Sequence, residues 1–496
     1  MNKRLEELKN GTDIRGIAIK NKYKKVNLSK DEVREIATGF YNWLVKEKNS
    51  NSLKVAIGCD SRLSGEELKA VFIETLRELG CDVYDCSMAT TPAMFMSTVM
   101  DGYKCDGAAM ITASHLPFYY NGIKFFTDKG GVEKSDIDEI VALSEVNKIT
   151  IQNIGKLEKR NLIDDYSKIL VDKIRVGSDS KGNFDKPLDG LNIIVDAGNG
   201  AGGFFVEKVL KELGANTSGS QFLDPDGNFP NHIPNPENKE AIESICEAVK
   251  RTKSDMGIIF DTDVDRAAIV DKNGNPINKD ALIALISTII LKEYPNSTIV
   301  TDSVTTEGLG RFIESKGGRH HRFKRGYKNV INEGIRLNKE GTECHLAIET
   351  SGHAAIKENY FLDDGAFLVS KILIEVSKLH EQGREIGSLI DNLEEPLEKV
   401  EYRINIEKDN YREFGEGILK DLESLVKSHT SWKLPEKNYE GVRVMCPSEK
   451  EDGWFLLRLS LHEPLLALNV QSDVEGGADA MIESIRRFLE KYNMKF

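Results

Sequence analysis

The sequence predicts an α/β protein on three observations: apolar runs that stop abruptly at small, hydroxyl or acidic residues, amphipathic stretches that alternate with them, and turn signals between the two. Six runs carry the pattern: VAIGCDSR from Val55, AAMITASH from Ala108, NIIVDAGNG from Asn192, GIIFDTDVDR from Gly257, TIVTDSVTT from Thr298 and HLAIETSGH from His345. Each reads as a buried strand whose carboxyl end carries reactive groups. Gly65 to Leu79, Phe204 to Leu213 and Phe367 to Gln382 supply the helical period between them. Ligands of open α/β sheets sit beyond the carboxyl ends of strands, so the six loaded ends are expected to line a shared cleft.

The 496 residues are enough for several buried cores. Polar, charge-rich breaks near 147–160 and 392–402, with the Asn-Gly and Asn-Pro turn signals of Asp271 to Pro276, divide the chain into segments 1–158, 159–275, 276–393 and 394–496. A balance of 67 basic against 80 acidic residues leaves a net charge of −13. That charge argues against nucleic-acid or anionic-membrane binding, and any anionic ligand must be met by local positive charge. The longest apolar stretch, Ala281 to Leu291, is too short to span a bilayer and reads as a buried helix. Met1 to Asn10 lacks a secretory pattern, and the seven scattered cysteines have neither metal-ligand spacing nor a disulfide framework, so they read as reduced thiols of a cytoplasmic protein.

The fourth run ends in Asp261-Thr262-Asp263-Val264-Asp265. At a separation of roughly 5 Å and an effective dielectric of about 20, each carboxylate pair repels by about 3 kcal/mol, a penalty that a bound divalent cation removes. Oxygen ligands alone suit Mg²⁺, Mn²⁺ or Ca²⁺ better than zinc. An EF-hand is excluded, because Arg266 and Lys272 stand where its loop needs Gly and Glu. A solvated acidic turn is the alternative without chemistry. Asp-x-Asp after a buried strand also resembles the haloacid dehalogenase family, which would make Asp261 a phosphorylated nucleophile.

The second run ends in Thr112-Ala113-Ser114-His115-Leu116-Pro117, with Asn121-Gly122-Ile123-Lys124 following. A serine at a strand end can present its oxygen as a nucleophile or phosphate carrier. The alternative is a cap by Ser114 with His115 at the surface. Gly198-x-Gly200-x-x-Gly203 satisfies the letter of the dinucleotide fingerprint, but Asp196 and Ala197 intervene after the strand and Asp224 lies in a Pro-rich turn, so nucleotide binding is set aside.

TASHLP, DTDVDR, IETSGH and RLSLHEP occur in that order, and through them almost the whole chain resembles the α-D-phosphohexomutase family (phosphomannomutase/phosphoglucomutase). DIRG from Asp13, DSRLSG from Asp60, DAGNGAGG from Asp196 and PDGNFPNHIPNPE from Pro225 are further matches. The resemblance implies three successive α/β mutase domains and a smaller C-terminal α+β domain around a central cleft. It also implies a phosphoserine at Ser114, with Mg²⁺ held by Asp261, Asp263, Asp265 and an oxygen of the Ser114 phosphate. The phosphate passes to the free hydroxyl of a hexose monophosphate of mannose or glucose, through a hexose 1,6-bisphosphate that is also the activator.

Arg15 and Lys124 match positions beside the transferred phosphate, and Arg266 one that supports the metal loop. Glu349 and Ser351 match positions that bind sugar hydroxyls, and Lys328 one on a further ligand loop. Arg458 and Ser460 match the loop for the phosphate that is not transferred. His353 is either a general acid or base or a structural histidine. The Ser351-Gly352-His353 tripeptide favours the phosphomannomutase/phosphoglucomutase or phosphoglucosamine mutase branches.

The pattern is broken at several places. Leu116 replaces Asn, Ile348, Thr262 and Val264 replace glycines, and Leu461 and His462 replace Gly and Thr, which removes a hydroxyl donor from the C-terminal phosphate loop. The basic run Arg319 to Arg325, with His320 and His321, reads as a solvated loop that also attracts sugar phosphates. Partners are therefore small sugar phosphates and neither nucleic acid nor membrane, in a monomer or small homo-oligomer. The rival readings are phosphoglucosamine mutase, an Asp-nucleophile phosphatase or mutase, and a catalytically silent sugar-phosphate binder.

Overall fold

The computed structural model describes residues 3–22, 24–145, 153–179, 182–460 and 463–496. Part of the break near 147–160, and the departures Leu461 and His462, lie outside the described residues. The architecture is three successive α/β segments followed by a smaller C-terminal segment with its own antiparallel sheet. By contact density the chain forms two compact units, Met1–Asn278 with Ser351–Ser388, and Lys279–Thr350 with Leu389–Phe496. All six apolar runs are strands.

The first unit opens with an eight-stranded mixed sheet. Lys54–Cys59 runs parallel to Asp82–Met88 and to Gly107–Ile111, while Tyr120–Thr127 runs antiparallel to Gly107–Ile111 and to Asp13–Ile17. All five residues of Gly107–Ile111 are buried, which explains a continuous apolar run that ends at the serine loop. Helix Lys30–Lys48 starts at a capping box in which Ser29 and Glu32 satisfy each other's backbone N–H groups. It buries Phe40 against Phe125, with ring centroids 4.6 Å apart.

The next sheet places Met256–Phe260 parallel to Ile193–Asp196 and antiparallel to Ala267–Asp271. Phe260 pairs with Ala267, so the acidic pentad is the tight connection between two antiparallel neighbours. Asp271 Oδ1 accepts from the N–H groups of Asn273 and Asn275 at 2.9 and 2.8 Å, which closes the predicted turn before Pro276–Ile277. The stretch Phe204 to Leu213 departs from the expected α-helix. Ala201–Gly203 is a 3₁₀ turn and Val206–Leu210 a wider π turn, a geometry that lets Phe205-Val206 and Val209-Leu210 all face inward. The first unit is completed by the hairpin of Ala354–Ile356 with Leu362–Asp363 and by helix Gly365–Glu381.

In the second unit Thr298–Thr301 runs parallel to Arg319–Arg322 and Cys344–Ile348. The basic run is therefore a strand rather than a solvated loop, because its polar groups find protein partners. His320 Nε2 lies 2.8 Å from Thr301 Oγ1, and Arg322 donates to Thr305 Oγ1 and the Thr306 carbonyl at 3.1 and 2.6 Å. Ala281 to Leu291 falls inside the buried helix Lys279–Glu293. The C-terminal segment is a four-stranded antiparallel sheet in the order Glu398–Asn405, Leu465–Ser472, Gly453–Leu459, Val442–Cys446. Helices Tyr411–Ser428 and Gly477–Glu490 pack on it. The seven cysteines are free thiols. Among the described residues no helix is long and apolar enough to cross a membrane.

Two glycines test this packing in opposite directions. A Cβ on Gly122 would lie 2.4 Å from the Ile14 carbonyl oxygen and 2.8 Å from that of Thr112, whereas one on Gly417, in helix Tyr411–Ser428, meets nothing within 4 Å. Gly122→Ala is expected to destabilise the protein by about 1–3 kcal/mol, and Gly417→Ala to stabilise it by about 0.5–1 kcal/mol. Urea unfolding midpoints measure both, and an unchanged midpoint for Gly122→Ala would contradict the close approach of the two strands.

Candidate active site

In the first unit the serine loop, the acidic pentad and the Lys124 strand meet around Ser114. Ser114 sits at φ +50°, a left-handed conformation that costs an L-residue roughly 1–2 kcal/mol. Its neighbours hold it there. Its N–H donates to Thr112 Oγ1 at 2.9 Å, and Thr112 Oγ1 donates to Asp60 Oδ2 at 2.6 Å. The fully buried Arg62 guanidinium donates to the carbonyls of Ser114, Leu116 (2.6 Å), Pro117 (3.0 Å) and Tyr120 (3.0 Å). Charge-assisted hydrogen bonds of this kind contribute about 1.5–3 kcal/mol each. Sequence reasoning matched the Asp60-to-Gly65 segment but gave Arg62 no task. An Asp-x-Arg triplet at a buried strand end was the available signal.

Ser114 Oγ donates to Asp261 Oδ2 at 3.2 Å and lies 3.3 Å from both Arg266 Nη2 and His115 Nδ1. Arg266 Nη2 also donates to His115 Nδ1 at 2.7 Å, so this ring nitrogen is an acceptor and the imidazole is neutral. Burial and the neighbouring Arg266 and Arg15 push the His115 pKa down to about 2. The surface position considered for His115 is thus corrected: half-buried, it completes the serine's surroundings.

The pentad presents Asp261, Asp263 and Asp265 fully or almost fully buried, with one carboxylate oxygen of each within 4.8 Å of the others. Lys124 Nζ lies 3.0 Å from Asp263 Oδ2 and 2.5 Å from Asp265 Oδ2. Thr91 donates its hydroxyl to Asp263 Oδ2 at 2.5 Å and its N–H to the Asp263 carbonyl at 2.9 Å. Arg266 donates Nε to Asp261 Oδ2 at 3.1 Å, its backbone N–H to Asp261 Oδ1 at 3.2 Å and Nη1 to Asn235 Oδ1 at 3.0 Å. Two oxygens, Asp263 Oδ1 and Asp265 Oδ1, are buried without a hydrogen-bond donor, a costly state for a carboxylate. Burial, with Asp265 and Asp263 adjacent, raises Asp261 well above the ordinary carboxyl range. Burial also opposes the charge on Asp265, but Lys124, His353 and Arg266 hold its pKa well below that range. This oxygen-only cluster can hold a hard divalent cation.

Val264 keeps the loop's left-handed turn at φ +66°, an uncommon conformation for a β-branched residue, where the family pattern has glycine. A Cβ on Gly200 would lie 2.6 Å from the Thr262 carbonyl oxygen, and one on Gly203 would lie 2.3 Å from that of Leu223. Two glycines of the apparent dinucleotide fingerprint thus press their segment against the metal loop and against Leu223.

His353 precedes the strand Ala354–Ile356. Its Nδ1 bonds Asp363 Oδ2 closely and lies 4.0 Å from Asp265 Oδ1. Burial disfavours the charged ring, but Asp363 and Asp265 more than offset it and raise the pKa to about 9. Arg15 pairs in register with Gly122, on the strand that carries Lys124, and donates Nη2 to Asp13 Oδ2 at 2.8 Å. Ser351 occupies the turn ahead of His353 and is half-buried.

The remaining sequence-derived residues belong to the second unit. Glu349 Oε1 accepts from the Gly326 N–H at 2.5 Å, which ties the IETSGH run to the Gly326-Tyr327-Lys328 loop, with Lys328 in the first turn of helix Tyr327–Lys339. Arg458 is the last residue but one of the strand Gly453–Leu459, 3.8 Å from Glu440 Oε1, and the Ser460 N–H donates to the Leu465 carbonyl at 2.9 Å. Asp302, which follows Thr298–Thr301, stands out in sequence only as part of an apolar run's end. It is buried, accepts from Thr350 Oγ1 at 2.7 Å, and burial with Glu349 adjacent raises its pKa to about 7.

A folded-state pKa above the unfolded value means that Asp302 favours the folded state most at low pH, and that this contribution is lost as pH rises through about 7. Asp302→Asn should therefore gain up to about 2 kcal/mol relative to the natural chain between pH 5.5 and 8.5. Urea unfolding at the two pH values measures it, and a difference independent of pH would contradict the assignment.

Residues 7–150, 164–274 and 278–396 match alpha/beta/alpha domains I, II and III of phosphoglucomutase/phosphomannomutase, respectively. A phosphomannomutase/phosphoglucomutase of Pseudomonas syringae pv. tomato is 30% identical over 439 residues, 87% of each chain. A phosphoglucomutase/phosphomannomutase of Thermococcus kodakarensis is 30% identical over 455 residues, covering 91% of this chain and 93% of the relative. The crystal structure of a phosphoglucomutase/phosphomannomutase family protein from Burkholderia thailandensis aligns with a TM-score of 0.80 at 26% identity over 98% of both chains. The ordered motifs, the serine set against three buried carboxylates and these matches lead to one assignment: the chain belongs to the phosphoglucomutase/phosphomannomutase family of α-D-phosphohexomutases, which are intramolecular phosphotransferases.

Proposed function

We propose that the chain interconverts hexose 1-phosphate and hexose 6-phosphate, of mannose or glucose, through a phosphoserine at Ser114 and a hexose 1,6-bisphosphate intermediate that is also the activator. The observation that carries this reading is Ser114 Oγ at 3.2 Å from Asp261 Oδ2 and 3.3 Å from Arg266 Nη2, beside a carboxylate cluster with two donor-less oxygens. Segment 1–158 would carry the serine, 159–275 the cation loop, 276–393 the sugar loop and 394–496 the loop for the second phosphate.

Asp261, Asp263, Asp265 and an oxygen of the Ser114 phosphate would hold Mg²⁺, consistent with an all-oxygen donor set. When bound, the ion neutralises charge on the transferring group. The chain's own residues do the rest. A sugar hydroxyl oxygen attacks phosphorus, the bond from phosphorus to Ser114 Oγ breaks, and Arg266 Nη2 stabilises the departing oxygen. Arg15 and Lys124 neutralise the phosphoryl oxygens, and His353, paired with Asp363, exchanges the proton of the sugar hydroxyl. Glu349 and Ser351 orient the sugar hydroxyls, Lys328 contacts the ligand, and Arg458 and Ser460 hold the phosphate that stays. The bisphosphate then turns over and returns its other phosphate to the serine.

Incubation with Mg²⁺ and glucose 1,6-bisphosphate, followed by peptide mass spectrometry and a chase with glucose 1-phosphate, should place phosphate on Ser114 and then remove it. Ser114→Ala should keep the fold and lose turnover by more than about 10³-fold. Normal turnover in that variant would reject the mechanism, and a hydroxylamine-labile phosphate on Asp261 would transfer the role to the aspartate.

A further inference from the structure

The PDGNFPNHIPNPE stretch is anchored in the first unit through one histidine. Asp196, the last residue of strand Ile193–Asp196, is fully buried, and His232 is buried against it. His232 Nε2 lies 3.0 Å from both Asp196 carboxylate oxygens, and its Nδ1 lies 3.0 Å from the Ile233 carbonyl oxygen. An accepting oxygen faces each ring nitrogen, so both nitrogens donate and the ring is an imidazolium. Burial opposes that charge, but Asp196 more than offsets it and raises the His232 pKa. The carboxylate also accepts from the Gly198 N–H at 2.9 Å and from Gln221 Nε2 at 2.8 Å. Gly198 lets the stretch approach closely: a Cβ there would lie 2.8 Å from Pro234 Cβ and 3.3 Å from His232 Cε1.

From this anchor the hydrogen bonds lead to the serine. The Ile233 carbonyl that accepts from His232 also accepts from the Asn235 N–H at 2.8 Å. Asn235 Oδ1 in turn accepts from Arg266 Nη1 at 3.0 Å and from the Glu237 N–H at 3.0 Å. The same guanidinium directs Nη2 to Ser114 Oγ at 3.3 Å and Nε to Asp261 Oδ2 at 3.1 Å. A planar guanidinium moves as one body, so an acceptor fixed at Nη1 also fixes the direction of Nη2.

We infer that the Asp196–His232 pair positions Arg266 for phosphoryl transfer, by locking the turn that presents Asn235 and thereby aiming Arg266 Nη2 at the oxygen of Ser114. The inference rests on the hexose-phosphate mutase reading. Asp196 and His232 act through Arg266 and are positioning residues. Displacing a catalytic group by about 1 Å costs on the order of 10²-fold in rate, so a loosened turn is read in the transfer step. Arg266 addresses the oxygen that would carry phosphate, and the loss therefore falls on the rate constant rather than on sugar affinity.

Single-turnover transfer from phosphorylated Ser114 to glucose 1-phosphate tests this on the full chain, with folding checked by circular dichroism. The rate constant is taken per phosphorylated serine, so an inactive fraction does not enter it. His232→Leu should slow transfer by at least about 10-fold and leave the half-saturating glucose 1-phosphate concentration within about 3-fold. His232→Gln, which keeps a donor for Asp196, should fall between, and Asn235→Ala should match His232→Leu and decides the question if the latter does not fold. In Arg266→Lys, which lacks the planar fork, adding His232→Gln should change the rate by less than about 2-fold. Rates within about 2-fold of the natural chain in His232→Gln and Asn235→Ala, or an undiminished effect of His232→Gln in Arg266→Lys, would overturn the positioning role and leave the mutase reading intact. A natural chain that takes no phosphate on Ser114, or does not pass it on, would overturn both.

Discussion

Mutual repulsion among Asp261, Asp263 and Asp265 organises the polar interior of the first unit. The three carboxylates sit at the turn between two antiparallel strands with almost no solvent to screen them, and each neighbouring element supplies something that offsets their charge. Lys124 comes from the strand paired with the serine strand, Thr91 from the start of a helix, Arg266 from the turn itself and His353 from the hairpin beyond. The set remains incomplete, since two buried oxygens lack donors. A hard cation would complete it by coordinating those oxygens directly.

The serine is built into the same balance. Arg266 bridges Asp261, His115 and the Ser114 hydroxyl, so one guanidinium couples the acidic cluster to the group that would carry phosphate. Arg62 braces the loop through four backbone carbonyls. Two arginines therefore divide the work, one holding the loop in a strained left-handed conformation and the other addressing the reactive oxygen. Exchanging either for lysine would lose the planar fork on which several contacts at once depend.

What the sequence disclosed follows from the range of the interactions. Strand ends, the buried helix over Ala281 to Leu291 and the turn at Asp271 to Pro276 depend on neighbours in sequence, and periodicity and turn chemistry exposed them. The grouping of Ser114 with the three aspartates became legible through the order of motifs. The tasks of Arg62, Thr91 and Asp302 stayed hidden, because each is defined by partners far along the chain and each residue type is common on surfaces. The basic run misled for the same reason: clustered Arg and His look solvated until Thr301, Thr305 and Glu307 are seen to receive them. The π turn over Val206–Leu210 escaped because helical period does not report how tightly a turn is wound.

The dependence of thermal unfolding on Mg²⁺ concentration, for the natural chain and for Asp263→Asn, tests most directly whether the carboxylate cluster is a cation site. A cation that binds only the folded state stabilises it by about 2.7 kcal/mol at a free concentration 100 times Kd. The Tm of the natural chain should therefore climb steadily with Mg²⁺, and the variant should respond weakly or not at all. Equal responses in the two proteins, or none in the natural chain, would show that the three carboxylates are held by protein groups alone.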